Sequence, residues 1–339
     1  MPNSLDIERP ELLLAYLRET NRIDPPEKPA ITVLAGGVSN RTVLVERVGG
    51  KAWVLKQALA KLRVKVDWFS DPVRIEREAA GLRHLATLAP PGTITPLVFE
   101  DPAHHLLAMQ AVPQPHENWK TILLAGRLEA GHVRQFADLL AGIHRNSWLR
   151  RKELAPVFDD RGFFESLRLE PYYAYTASQV PESAAFYDRL IVETRSRRFS
   201  IVHGDYSPKN VLVHDGRLIL LDHEVIHWGD PSFDLGFAMT HLLSKAHHLP
   251  AMRPRFSDAA VAFWTRYREG VGDVMWAADL EPTAVRQTLG CLLARVAGRS
   301  PLEYLSEDEK SRQRRAVIAL MANPPATVRG LTDQFTETL

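Results

Sequence analysis

The stretch from Ile201 to Asp222 constrains this 339-residue chain more than any other. It runs Ile-Val-His-Gly-Asp-Tyr-Ser-Pro-Lys-Asn over 201–210, then Val211 to Val213, His214-Asp215-Gly216-Arg217, and Leu218 to Leu221 before Asp222. Two apolar runs flanking Asp-Gly predict a β-hairpin, because that dipeptide tolerates the positive φ values of a two-residue hairpin turn. With Asp215-Gly216 as the turn, 214 pairs with 217 and 213 with 218, so Asn210 falls opposite Leu221 and emerges beside Asp222. Asp205, five residues before Asn210, sits on a loop too short to carry it away. Two carboxylates and an amide therefore converge. An amide oxygen and a carboxylate, here Asn210 and Asp222, suit magnesium, which takes oxygen ligands and fills its octahedron with waters and substrate phosphates. Asp205 is then free to act as a base, the division of labour that phosphoryl transfer needs. The bland alternative is a turn followed by a hairpin with no chemistry, and it weakens once all three residues are counted together.

The first third of the chain supplies a separate line of reasoning. Pro10 at a helix start and Leu13, Leu14 and Leu17 at helical spacing predict an amphipathic leader helix over 9–20. The period then changes to strands over 31–35, 41–48 and 52–56, an antiparallel meander with Gly36-Gly37 and Gly49-Gly50 at its turns. Asp71-Pro72 reads as the N-cap and first residue of a helix with Ile75, Ala79, Leu82, Leu85 and Leu88 along one face. Two more strands, 97–100 and 106–109, flank an Asp101-Pro102 turn. Lys56 ends an apolar strand, where a long cation needs a partner or an anion to reach. Glu78 lies within the apolar stripe of the helix and can point inward at Lys56, whereas Glu76 is rotated off it. A solvated edge lysine and a surface ion pair are the ordinary alternatives. The 36–40 turn, Gly-Gly-Val-Ser-Asn, brings backbone N–H groups and Ser39 toward phosphates, although a plain hairpin has the same composition.

Helical patterns dominate the remainder, over 119–124, 133–144, 259–267, 285–296 and 307–321. The fold class expected is α+β and bilobal: residues 1–110 as a five-stranded antiparallel sheet with a helix, and 111–339 as a mainly α-helical lobe. That length suits two lobes at roughly 150 residues each. Lys plus Arg number 42 against 41 Asp plus Glu, which excludes the basic excess of a nucleic-acid or membrane-surface binder. One cysteine, Cys291, rules out an intrachain disulfide and reads as a buried thiol. No apolar run approaches the ~18 residues of a membrane span and the N-terminus lacks a signal-peptide pattern, so a cytoplasmic protein is expected. The pairs His104-His105 and His247-His248 lack the spacing of a helical zinc site and read as surface residues. Phe163, Phe164, Tyr172, Tyr173 and Tyr175 read equally well as core or as a substrate wall.

His-Gly-Asp205-x-x-x-x-Asn210, Leu-Asp222-x-Glu224 and Gly229-Asp230-Pro231-x-Phe-Asp234 resemble the aminoglycoside phosphotransferase and choline kinase superfamily, over about 31–243. The resemblance implies the protein-kinase-like fold, ATP with magnesium, and phosphorylation of a small-molecule hydroxyl. It assigns the base to Asp205, metal ligands to Asn210 and Asp222, and nucleotide support to Lys56 and Glu78. It further assigns loop bracing to Asp234, an adenine-holding hinge to 109–112 with Met109, Gln110 and Val112, and a supporting place to Glu224. Val54-Leu55-Lys56-Gln57-Ala58-Leu59 is similar to the methylthioribose kinases within that superfamily, while Asn210 and the glycine turn depart from them. Two other classes compete: a catalytically inactive kinase-like binding protein, and a metal-dependent hydrolase built on His203, Asp205, Asp222 and His223. The acceptor expected is a small, roughly neutral, sugar-like hydroxyl compound. An aminoglycoside or amino alcohol is the alternative, disfavoured because residues 231–339 hold 13 Lys plus Arg against 12 Asp plus Glu.

Overall fold

The computed structural model describes residues 5–35, 37–63 and 67–339. Gly36, half of the expected glycine turn, lies outside them. Helix α1 (Pro10–Glu19) precedes strands β1 (Ala30–Val33), β2 (Asn40–Glu46) and β3 (Ala52–Ala58), then α2 (Arg74–Leu88), β4 (Leu97–Asp101) and β5 (Leu106–Gln110). The five strands form one antiparallel sheet in the order β1-β2-β3-β5-β4. Strand alternation decides what each face does. On β2 and β3, Val43, Val45, Trp53 and Leu55 join Leu13 and Leu17 of α1 in one apolar layer. Thr42, Leu44, Val54 and Lys56 point to the opposite face, which lines a cleft. Lys56 is thus aimed at the cleft because Leu55 is aimed at α1. Asp71 caps a turn instead of the helix: its Oδ1 accepts from Val73 N–H at 3.0 Å, and α2 begins only at Arg74.

The C-terminal lobe starts with β6 (Glu117–Asn118), α3 (Trp119–Leu124), α4 (Ala130–Leu149), α5 (Arg151–Leu154) and α6 (Gly162–Phe164). A π-helical stretch, Glu165–Ala174, leads into α7 (Tyr175–Gln179) and α8 (Ala184–Ser196). Pro171 lies inside that stretch; Pro has no N–H to donate and clashes in a regular helix, and a π-bulge absorbs both. Next come β7 (Ser200–Val202), β8 (Val211–His214), β9 (Arg217–Leu220) and β10 (His227–Gly229). Beyond them lie α9 (Pro231–His248), α10 (Arg253–Val271), α11 (Leu280–Ala297), α12 (Glu307–Ala322) and α13 (Val328–Glu337). The hairpin has the register derived from its turn: His214 faces Arg217 and Val211 faces Leu220, with Asp215 and Gly216 at φ of 47° and 70°. It is not alone, since β6 adds a third strand and β7 pairs with β10.

Helix α9 is buried from Pro231 to His247 and forms the centre of the lobe, packed against α10 and α11. Its contact with α11 is close enough to need glycine: a Cβ at Gly236 would stand 2.5 Å from Gln287 Cβ. His247 is buried and bonded to Gln313, which corrects its reading as a surface residue; the pattern gave no sign that α9 is surrounded on all sides. The aromatic cluster divides. Phe164 and Tyr173 are core, whereas Tyr172 lines the cleft. Cys291, on α11, is buried with Sγ 3.3 Å from the Tyr173 hydroxyl, and burial pushes its thiol up to about 12.

Candidate active site

The loop 203–210 leaves β7 and is fixed from below by α9. Asp234, in the first turn of α9, accepts from the N–H groups of His203 at 2.7 Å and Gly204 at 2.8 Å. Gly204 has φ of 77°, and a Cβ there would stand 2.8 Å from the Val225 side chain, so both backbone and packing require glycine. The Asn210 Nδ2 donates to the Asp205 carbonyl at 3.0 Å, and Leu221 N–H donates to the Asn210 carbonyl at 2.9 Å. Asp222 follows with φ of 68°, a left-handed kink that ends the hairpin and presents its carboxylate to the cleft.

From the other lobe, the Lys56 ammonium donates to Glu78 at 2.6 Å and to Asp222 at 2.9 Å. Burial alone would strip its proton, but Asp222 and Glu78 more than offset it and hold the ammonium charged. Burial pushes the Glu78 carboxyl up, with Lys56 opposing. Asp222 also resists burial: Lys56 and Lys209 hold it well below the usual carboxylate range. Glu224 joins the lobes a second time. It accepts from Arg74 Nε at 3.2 Å and from Asn40 Nδ2 at 3.4 Å, while Arg74 also donates to the carbonyls of Ser39 and Leu59. Ser39 thus sits at the cleft with its carbonyl tied to α2.

Arg168, in the π-helical stretch, places its Nη2 2.9 Å from Asp205 Oδ2 and donates from Nε to the Gly204 carbonyl at 2.7 Å. Burial favours a neutral Asp205, but Arg168 and then Lys209 outweigh it and keep the carboxyl below its ordinary value. Sequence reasoning missed Arg168, Arg74 and Asn40. Nothing local marks Arg168; an arginine close to the aromatic cluster was the only available signal. The hydrolase arrangement does not assemble. His203 Nε2 lies against the Leu221 carbonyl and its Nδ1 against Asp205 N–H, while the fully buried His223 packs over Gly81 of α2.

Lys56, Arg168, Asp205, Asn210, Asp222 and Glu224 border one cleft of about 800 Å³ between the lobes, while Arg74, Glu78 and Asp234 are fully buried. Met109, Gln110 and Val112 line its rear, with Arg168, Tyr172, Arg299 and Ser300 at the far end. A five-stranded sheet with one inner helix, joined to a helical lobe across such a cleft, defines a kinase-like phosphotransferase. The chain belongs to the Phosphotransferase enzyme family (APH), whose profile matches residues 30–270. It is 26% identical over 288 residues to a methylthioribose kinase of Yersinia enterocolitica, covering 75% of this chain and 70% of that one. Among solved structures it is similar to the amicoumacin kinase hAmiN in complex with AMP-PNP, Ca2+ and Ami. That match has TM-score 0.58 at 14% identity, over 88% of this chain and 89% of that one. A choline/ethanolamine kinase family protein from Mesorhizobium loti matches with TM-score 0.54 at 14% identity, over 97% and 98%. The chain is a phosphotransferase of the small-molecule kinase type.

Proposed function

We propose that the chain transfers the γ-phosphoryl group of ATP to a hydroxyl of a small, sugar-like metabolite, with Asp205 as the base. The observation that carries this reading is the meeting of Lys56, Asp205, Asn210 and Asp222 in one cleft. In this reading the division between lobes falls between Gln110 and Ala111. The N–H groups of Gln110 and Ala111 are already used by the carbonyls of Pro96 and Ala52, so Val112 N–H is the hinge donor for an adenine. Lys56, held charged by Asp222 and Glu78, meets the phosphates, as in kinases generally.

The donor set fits magnesium: an amide on Asn210 whose Nδ2 is spent on the Asp205 carbonyl, leaving its oxygen as a ligand, and an ionised carboxylate on Asp222, both residues at the cleft. When bound there, such an ion neutralises charge on the phosphate oxygens. Asp205, kept ionised by Arg168, orients the acceptor hydroxyl and takes its proton. An aminoglycoside is disfavoured at the site itself. Asp205, Asp222 and Glu224 are already engaged by Arg168, Lys56 and Arg74, which leaves no free carboxylate beside the base, among the described residues, for each amine taken out of water.

The methylthioribose kinase relatives favour a pentose-like acceptor. ATP consumption by the purified protein should be tested over neutral sugars, amino alcohols and aminoglycosides, with Mg2+ supplied and withheld. Metal-dependent turnover of a sugar is expected; preferential turnover of a polyamine, measured as kcat/KM, would overturn the acceptor class.

A further inference from the structure

Beneath the far end of the cleft, three cations come together from three different helices. Lys245 of α9 is fully buried, and its ammonium donates to the carbonyl of His241, one turn earlier, at 3.2 Å. Arg295, in the last turn of α11, is 8% exposed, with Nη1 donating to the Tyr172 hydroxyl at 2.9 Å and to Ser300 Oγ at 3.0 Å. Its Nε is buried without a partner among the described residues, and so is the Tyr304 hydroxyl. Lys120, at the start of α3, pairs with Glu303.

Three consecutive loop residues tie the cations together. Leu302 N–H donates to the Arg295 carbonyl at 2.8 Å, Glu303 takes Lys120, and the Tyr304 ring lies 5.4 Å from the Lys245 ammonium. Glu303, whose side chain is 62% exposed, is the carboxylate that faces this group. An ammonium taken out of water beside other cations is strongly unfavourable unless an anion completes the arrangement. Burial first, then Lys120 and Arg295, bring the Lys245 pKa down to about 7.

The cluster adjoins the cleft through Tyr172 and Ser300, which line it and whose hydroxyls both accept from Arg295. The Tyr172 ring lies 5.8 Å from the Arg168 guanidinium, which holds Asp205, and 5.7 Å from that of Arg295. Tyr172 therefore stands between the arginine that holds Asp205 and Arg295. We infer that Lys245, Arg295 and Lys120 form an anion subsite that takes a carboxylate or phosphate group carried by the hydroxyl acceptor, with Glu303 as the internal stand-in. The subsite stands on the cation cluster, and its link to the acceptor rests on the kinase reading. It replaces the roughly neutral acceptor expected from charge balance with a hydroxy acid or a phosphorylated hydroxyl compound.

Thermal unfolding with sulfate, whose charge is constant from pH 6 to 8.5, tests the subsite against chloride of matched ionic strength. Facing Lys245 are Lys120, Arg295, Glu303, Tyr304 and, on its own helix, His241. Burial keeps Tyr304 and His241 neutral, and Lys120 holds Glu303 ionised against burial, so Lys245 is the one among them expected to change charge near pH 7. Sulfate should raise the Tm at pH 6 and much less at pH 8.5. Lys245→Met should lose the sulfate shift, keep the shift produced by ADP, and be no less stable than the parent without sulfate. Lys120→Ala should lose at least half of the sulfate shift and serves if Lys245→Met does not fold. A full sulfate shift in both variants would overturn the subsite.

For the acceptor, ATP consumption is compared between each sugar and its aldonic acid. A ~10-fold preference in kcat/KM for the acid, abolished in Lys245→Met, is expected for one charge-assisted contact of ordinary strength. Preference for the neutral sugar despite an intact sulfate shift would overturn the acceptor assignment. Turnover of neither member of any pair would count against the kinase reading, with the sulfate experiment still deciding the subsite.

Discussion

Asp205 is held ionised in a buried site beside Asp222, chiefly by Arg168. If Asp205 is the base, as proposed, Asp205→Asn keeps the shape but removes the proton acceptor, so kcat should fall by ~10² to 10⁴ with ADP affinity little changed. Near-normal kcat in that variant would remove Asp205 from the role. Arg168→Gln tests the partner. It removes the main influence lowering the Asp205 pKa, so the acidic limb of the kcat/KM profile should move to higher pH, and Arg168→Lys should restore part of the shift. An unmoved limb would mean that Arg168 serves packing alone. Asp205, Asn210 and Asp222 could be read from the sequence because one hairpin spans them. Arg168 and Arg74 could not, since Arg168 meets Asp205 from 37 residues earlier in the same lobe and Arg74 meets Glu224 from the other lobe.

Among the elements, the hairpin was fully legible because Asp215-Gly216 fixes both its turn and its register. The leader helix and the five-stranded sheet were legible for a similar reason: their periods are clean and their turns carry glycine or proline. Helices α8 and α13 were not, and α9 appeared in the sequence only as the Gly-Asp-Pro signature at its start. A helix buried on every side has no polar face to reveal its period. The same burial makes α9 sensitive to small changes. At Gly236 a single methyl group would enter the backbone and side chain of Gln287, so Gly236→Ala should destabilise by ~1–3 kcal/mol despite the better helix propensity of alanine. Urea denaturation followed by circular dichroism measures this. A variant as stable as the parent would show that α9 and α11 can move apart at little cost.

For the molecule as a whole, pH links the site to stability. His203, His223, His227 and His241 are buried, and burial lowers the pKa of each, that of His227 to about 4. In the unfolded chain they titrate near ~6.5, so below that pH the unfolded state binds protons that the folded state refuses. Stability therefore falls with acidification, by up to ~1.4 kcal/mol per pH unit for each histidine. Four together could reach ~5.6 kcal/mol per unit at most, a large share of the ~5–15 kcal/mol that holds a typical domain. Asp205 and Asp222, with lowered pKa values, add to the loss at still lower pH. The urea midpoint should drop steeply between pH 6.5 and 5; equal midpoints at pH 7 and pH 5 would show that these rings are not held neutral. Cys291, the only cysteine, has a different use. Buried beside Tyr173 with its thiol pushed up to about 12, it should ignore maleimide reagents while the protein is folded. Val48→Cys, at a site 78% exposed beyond β2, and Val192→Cys, at a site 67% exposed on α8, would then be the reactive thiols, one per lobe. A donor and acceptor dye on that pair would let single-molecule energy transfer time the opening and closing of the cleft without first removing any native residue.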